Sequence, residues 1–315
     1  ALAMDIKHPG ACHLYVHATE STVVPEKAAP CAEFLGNVVP GASHMNHMPS
    51  HTWNEIGRWN DGVRANIQAW HSDLKATINE GFAIYPEHNL HMLLYAAAMD
   101  GQGAISMRAA KDYTKLTNDS SFEVMTLLRF GRFDELLEVK LRPLPPVQGA
   151  LWDFAQGYAH LRKGDVDFAN LYLQRVKKTA ETSKAMVRVH TAKNLLGVVA
   201  GILEGELARS GGDLPKAIAL FQAAFDLQEG LTYDEPEPLP FHAGHWLGAA
   251  LLEAKRPADA EATYRKELEH HPHNGWSLLG LQQALAAQGK ASADVDADLK
   301  TSWSRADTWF RSSRF

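Results

Sequence analysis

The feature that most limits what this chain can fold into is the regular return of a helix break. Gly57-Arg58-Trp59, Gly131-Arg132-Phe133-Asp134, Gly164-Asp165-Val166-Asp167, Gly212-Asp213-Leu214 and Lys255-Arg256-Pro257 each close one apolar periodicity and open the next. Glycine supplies the left-handed residue that ends a helix, and the Asp or Pro behind it starts another. From Gly131 onward these turns lie roughly 30–48 residues apart, the spacing of stacked helical hairpins. Between them, residues 59–75, 151–163, 166–180, 186–208, 214–229, 257–271 and 276–288 carry apolar positions at three-and-four spacing, and each is predicted to be helical. Ala and Leu abound, Val and Ile are sparse, and no period-two run of any length appears. The expected fold is all-α, an α-solenoid of helical hairpins with sheet content close to nil.

Composition narrows the function classes. Hydrophobic residues are 45% and charged residues 22% of 315, which is globular. The net charge is -6, with 31 basic against 37 acidic residues, so the basic excess of a phosphate-binding surface is missing and nucleic acid is not the expected partner. No apolar run reaches the roughly 18 residues of a membrane span. No charged-then-apolar leader opens the chain, and a start at Ala1 is compatible with one having been removed. Cytoplasm and periplasm both stay open. Two cysteines, Cys12 and Cys31, are too few for a disulfide scaffold or a thiolate zinc site.

Histidine is the unusual residue. There are sixteen, nine of them in the first 91 residues. Eight of these nine fall in three segments: His8, His13 and His17, with Glu20 following; His44, His47 and His51, with Glu55 following; and His88 with His91. Residues three or four apart share a helix face, so His13 with His17, and His47 with His51, are expected to point the same way. Glu20 and Glu55 fall on the same stripes. Burying six imidazoles without partners would cost a few kcal/mol each, which favours a metal or catalytic role over passive core positions. His71, His160, His190, His270, His271 and His273 read as caps or satisfied polar groups, and His242 and His245 as secondary groove candidates.

Ligand type selects the metal. No cysteine has chelating spacing, so thiolate zinc and iron–sulfur sites are excluded, and Leu14 and Met48 stand where an HExxH zinc motif would need Glu. His13, His17, His44, His47, His51, His88 and His91 offer enough nitrogens for two facing three-histidine centres, a ligand count resembling that of coupled dicopper proteins. A single metal held by three of them is equally compatible. Copper outranks zinc for such donors, and Met45 and Met48 could add thioether contacts. Zinc remains the alternative, with Glu20 or Glu55 as base for a metal-bound water. Tyr15, Trp53, Trp59, Tyr85 and Tyr95 lie near these ligands in sequence and could line a substrate pocket. The Pro-rich stretches 141–146 and 234–240 cannot be helical and read as connecting loops, or, for one of them, as a lid.

One stretch fits a particular repeat. With Phe241 as the first position, Leu247 and Gly248 fall at seven and eight, Ala260 at twenty, Tyr264 at twenty-four and Pro272 at thirty-two. This resembles the tetratricopeptide repeat, and Gly157, Gly164 and Ala169 fit a second register counted from Ala150. The motifs from His8 to His17, from Pro40 through His51, then Gly57-Arg58-Trp59 with Asn66, His88 to His91, and Leu247 to Leu278 resemble bacterial tetratricopeptide-repeat proteins of mostly unassigned function. The resemblance implies a His-rich region over 1–100 and repeats over 101–315 continuing the same solenoid. It supplies no reaction. Four functions stay in competition: a copper-dependent oxidoreductase with a small substrate in the concave groove, a zinc hydrolase, a non-catalytic scaffold for a peptide or protein partner, and metal storage or delivery.

Overall fold

The computed structural model describes residues 2, 5–79 and 83–315. Its helices are α1 (Pro9–Glu20), α2 (Ala29–Val38), α3 (Ser43–His47), α4 (Pro49–Glu55), α5 (Trp59–Ala76), α6 (Pro86–Met99), α7 (Gly103–Thr117), α8 (Ser121–Arg129) and α9 (Phe133–Glu138). They continue as α10 (Pro146–Arg162), α11 (Val166–Thr182), α12 (Ala192–Ser210), α13 (Leu214–Glu229), α14 (Gly244–Glu253), α15 (Pro257–His270), α16 (Gly275–Ala287) and α17 (Ala293–Ser302). Among the described residues the chain is all-α but for one antiparallel ladder of Met186–Val187 with His190–Thr191. Consecutive helices pack on one another from α5 onward.

The punctuation seen in the sequence is what ends these helices. Gly57, Gly131, Gly164 and Gly212 have positive φ, and Lys255 takes the same left-handed turn without being glycine. Asp165 and Asp213 then accept a backbone N–H from the first turn of α11 and α13, satisfying donors a helix start leaves open. Gly248 on α14 and Gly280 on α16 flank the buried ring of Tyr264 on α15, which a Cβ at either position would strike. The main apolar cluster draws on every helix from α5 to α16, with Val295 of α17 packed against it, and crosses residue 100 without a break.

One predicted helix begins late. The pattern over 186–208 is helical only from Ala192. Before it, Arg188 turns left-handed and ion-pairs with Asp234 at 2.8 Å, while His190 meets the same carboxylate at 2.9 Å. These contacts to a distant loop override the local periodicity. Thr191 then caps α12.

The N-terminal helices have a small core of their own, made of Cys12, Val16, Cys31, Leu35 and Met48. Cys12 and Cys31 form a disulfide across it, with Cα atoms 4.9 Å apart. Met48 belongs to this core, and Met45 packs against it, so both act as apolar filler. At the other end, residues 303–315 run back over the helical body. Asp307 accepts the N–H groups of Gly103 and Ala104, Tyr158 donates to the Phe315 carbonyl at 3.0 Å, and Arg314 pairs with buried Glu206 at 3.1 Å.

Candidate metal centre

Four helices present the N-terminal histidines to one another. α1 carries His13, His17 and Glu20 on successive turns. His8 does not join them, because its Nδ1 caps α1 by accepting the Ala11 N–H. Pro49 interrupts the hydrogen-bond ladder between α3 and α4, yet Met48 keeps helical angles. His44, His47 and His51 therefore stay on neighbouring turns. α6 adds His88 from its first turn.

The outcome is a closed circuit of imidazoles. Ring centroids are separated by 4.9 Å between His44 and His13, 5.0 Å between His13 and His17, and 5.0 Å between His17 and His51. His51 to His47 is 4.5 Å, and His47 to His44 closes the circuit at 5.8 Å. His88 attaches at 4.7 Å from His47. Two triads can be drawn within it, His13–His17–His44 and His47–His51–His88, each with ligand atoms within 4.8 Å of one another. A third group of the same tightness mixes donors: His17, Glu20, His51 and Glu235. Buried His and Glu groups here can hold a metal ion.

Hydrogen bonds fix which nitrogens are free. Asn66 on α5 donates its amide to the Gly62 carbonyl at 2.9 Å, so its Oδ1 faces His47 Nδ1, also at 2.9 Å. His47 Nδ1 thus carries the proton, and Nε2 keeps its lone pair. That Nε2 lies 2.7 Å from His51 Nε2, a nitrogen-to-nitrogen contact that one proton or one metal ion can occupy. His44 and His13 face each other the same way at 3.3 Å. On the far side of His51, Nδ1 meets Glu20 Oε2 at 2.5 Å and Glu235 Oε2 at 2.8 Å. Glu20 also holds His17 Nδ1 at 2.6 Å. One carboxylate therefore orients a ligand in each triad, as partners of metal-bound histidines do.

The charges follow. Burial lowers the His51 imidazole, but Glu20 and Glu235 outweigh it and push it up to about 9. Burial and the positive field of the other rings lower His44 to about 4, with His13 and His51 the nearest contributors. They lower His88 to about 3, chiefly through burial, His51 and Arg188. His47 and His13 move the same way. Burial raises Glu20, yet the hydrogen bonds of His17 and His51 hold it well below the usual carboxylate range.

Two expectations need correction. His91 stands outside all three groups; it is buried one turn further along α6 with its ring 4.0 Å from Phe122. Three of the five expected pocket aromatics do not line the cavity beside these groups. Tyr15 packs on the N-terminal core, Trp53 lies under the Arg58 guanidinium at 3.8 Å, and Tyr85, exposed just before α6, sets its ring edge-on to His44 with centroids 5.9 Å apart. Trp59 and Tyr95 do line a cavity of about 260 Å³ that opens beside His51 and Glu55. Its far wall is the Pro-rich segment 231–238, which delivers Glu235 to the histidines.

A second polar network lies across this cavity, of which spacing picks out only His242 and His245. His271 pairs with Glu237 at 3.2 Å and with buried Glu267 at 3.0 Å, and His242 and His270 flank Glu229 at 3.3 and 3.4 Å. Burial works against it, but His242 and His270 bring Glu229 down to about 2. His245 sits behind, 3.0 Å from buried Arg129. Of the histidines read as passive, His160 and His273 pair with Asp165 and Asp298, and His71 lines a separate surface cleft. His190, His270 and His271 do reach the cavity. The run Asp234-Glu235-Pro236-Glu237, acidic residues alternating with rigid ones, was the available signal. No family model matches the chain, and no curated protein matches it.

Proposed function

We propose that the chain is a copper-dependent oxidoreductase that holds one ion on His13, His17 and His44 and a second on His47, His51 and His88. The observation that carries this reading is two adjoining all-imidazole triads sharing Glu20 as orienting carboxylate. Bound copper would supply oxygen-dependent redox chemistry, and imidazole-only donors suit it. Asn66 sets the His47 tautomer, Glu20 and Glu235 aim His51, and the adjoining cavity gives a small substrate a place beside the ligands. The helical pairs are read as tetratricopeptide units of a solenoid, a reading supported by the contact of Gly248 with Tyr264 at the expected repeat positions.

Metal analysis after loading with Cu(II) tests this, together with spin-resonance and visible spectra and oxygen uptake on phenolic substrates. Two copper ions per chain and substrate-dependent oxygen uptake are expected. The mixed donors of His17, Glu20, His51 and Glu235 favour a second reading, a zinc hydrolase. Stoichiometric zinc without copper, and a hydrolytic activity lost in His47→Ala, would put that reading in place of the first. A chain that binds no ion at all would be a scaffold.

A further inference from the structure

Every carboxylate around the cavity has a cationic partner except one. Glu229 is held by His242 and His270, Glu237 by His271, Glu235 by His51, and Asp234 by Arg188 and His190. Glu55, at the end of α4, lines the cavity with no hydrogen bond or ion pair among the described residues. Tyr95 lines it too. It is only 3% exposed, and its hydroxyl likewise has no partner among the described residues. Neither group is paired among the described residues, so both are free to bond a ligand in the chamber they line.

The surrounding wall says what kind of ligand. Trp59 and Tyr95 stand at 6.2 Å between ring centroids and are both almost fully buried, giving an aromatic side to the chamber. A cavity of roughly 150 Å³ accepts benzene, so the 260 Å³ here leaves room for one ring and a short arm. A cation on that arm would be attracted both by the unpaired carboxylate and by the aromatic faces.

We infer that the cavity binds a primary arylalkylamine, with Glu55 accepting hydrogen bonds from its ammonium group, Tyr95 completing the polar end, and Trp59 packing on the ring. This rests on the cavity being the substrate chamber of the metal centre, and it names the substrate class. The environment of Glu55 agrees. Burial, opposed by His271 and reinforced by Glu237 and Glu20, pushes its carboxyl up to about 7, as expected of a carboxylate lacking its counter-ion.

Calorimetric titration of the full chain with 2-phenylethylamine, 2-phenylethanol and 3-phenylpropionate tests the inference, in metal-free and copper-loaded protein. The amine should bind at least tenfold more tightly than the alcohol, and the acid should not bind measurably. Glu55→Gln should erase the preference for amine over alcohol while leaving the alcohol's affinity in place, and Glu55→Asp should keep part of it. Equal binding of amine and alcohol, preference for the acid, binding of none of the three, or an undiminished preference in Glu55→Gln overturns the inference. The metal reading fails separately. Amine preference in a protein that takes up no copper keeps the pocket and removes the metal, and copper uptake without amine preference does the reverse.

Discussion

Raising the pH from 7 to 9 during a copper titration should tighten binding about a hundredfold. His13, His44, His47 and His88 all have lowered pKa values and are neutral at pH 7, so none of them must give up a proton to a metal. His51 differs. Glu20 and Glu235 keep it protonated up to about 9, and the proton on Nε2 occupies the position an ion would take between His51 and His47. Each pH unit below 9 then costs a factor of ten, and two units amount to about 3 kcal/mol. The same shift has a stability counterpart in the metal-free chain. The folded pKa lies above the unfolded value of 6.5, so the stabilisation is fully present below pH 6.5 and is lost as pH rises through 9. Competition with a chelator of known affinity gives the slope, and calorimetry in two buffers of different ionisation enthalpy counts the proton released. Glu20→Gln combined with Glu235→Gln should flatten the profile between pH 7 and 9. An affinity already flat in the wild type, or a slope that survives in the double variant, would refute the assignment of that proton.

Asn66→Ala should weaken one of the two ions by about 10–100-fold, the usual cost of losing a partner behind a ligating histidine, and leave the other unchanged; stepwise metal titration reads this directly. Replacing Cys12 and Cys31 together by Ser should cost about 3 kcal/mol, the loop-closure value for a separation of 19 residues, seen as a lower urea midpoint. Gly248→Ala drives a methyl into the Tyr264 ring and should destabilise by about 1–3 kcal/mol; an unchanged midpoint would contradict that packing.

Local signals were legible in proportion to how local their causes are. α13 occupies the whole of its sequence period, 214–229, because its Asp213 cap and apolar stripe lie within one segment. The spacing of His13 with His17 and of His47 with His51 showed shared faces, and the structure brings those faces together. Spacing could not say which of His88 and His91 would turn toward them. That was decided by Phe122 on α8, which takes His91 as a stacking partner. Glu235 was invisible for the same reason, since it arrives on a loop nearly two hundred residues after the helix that carries His51, and Glu237 meets His271 across the fold rather than along one helix. The ladder before Ala192 was hidden because its determinants, Asp234 and the Glu235 and Pro236 carbonyls, are also on that loop. Cysteine counting spoke against a scaffold and was silent about a single bridge.

The return of residues 303–315 over the helical body has a consequence for how the protein opens. Arrays of helical pairs held only by their neighbours lose their ends first, one unit at a time. Here Tyr264 on α15 hydrogen-bonds Ser313 at 2.7 Å, Trp276 on α16 stacks at 4.1 Å against Phe310, and Asp307 is anchored on α7. Fraying of α15 and α16 would therefore have to pull the segment away from residues 103 and 158 at the same time. Amide exchange in these late helices should be as slow as in α10 and α12, so that α15 and α16 open only when the middle helices do.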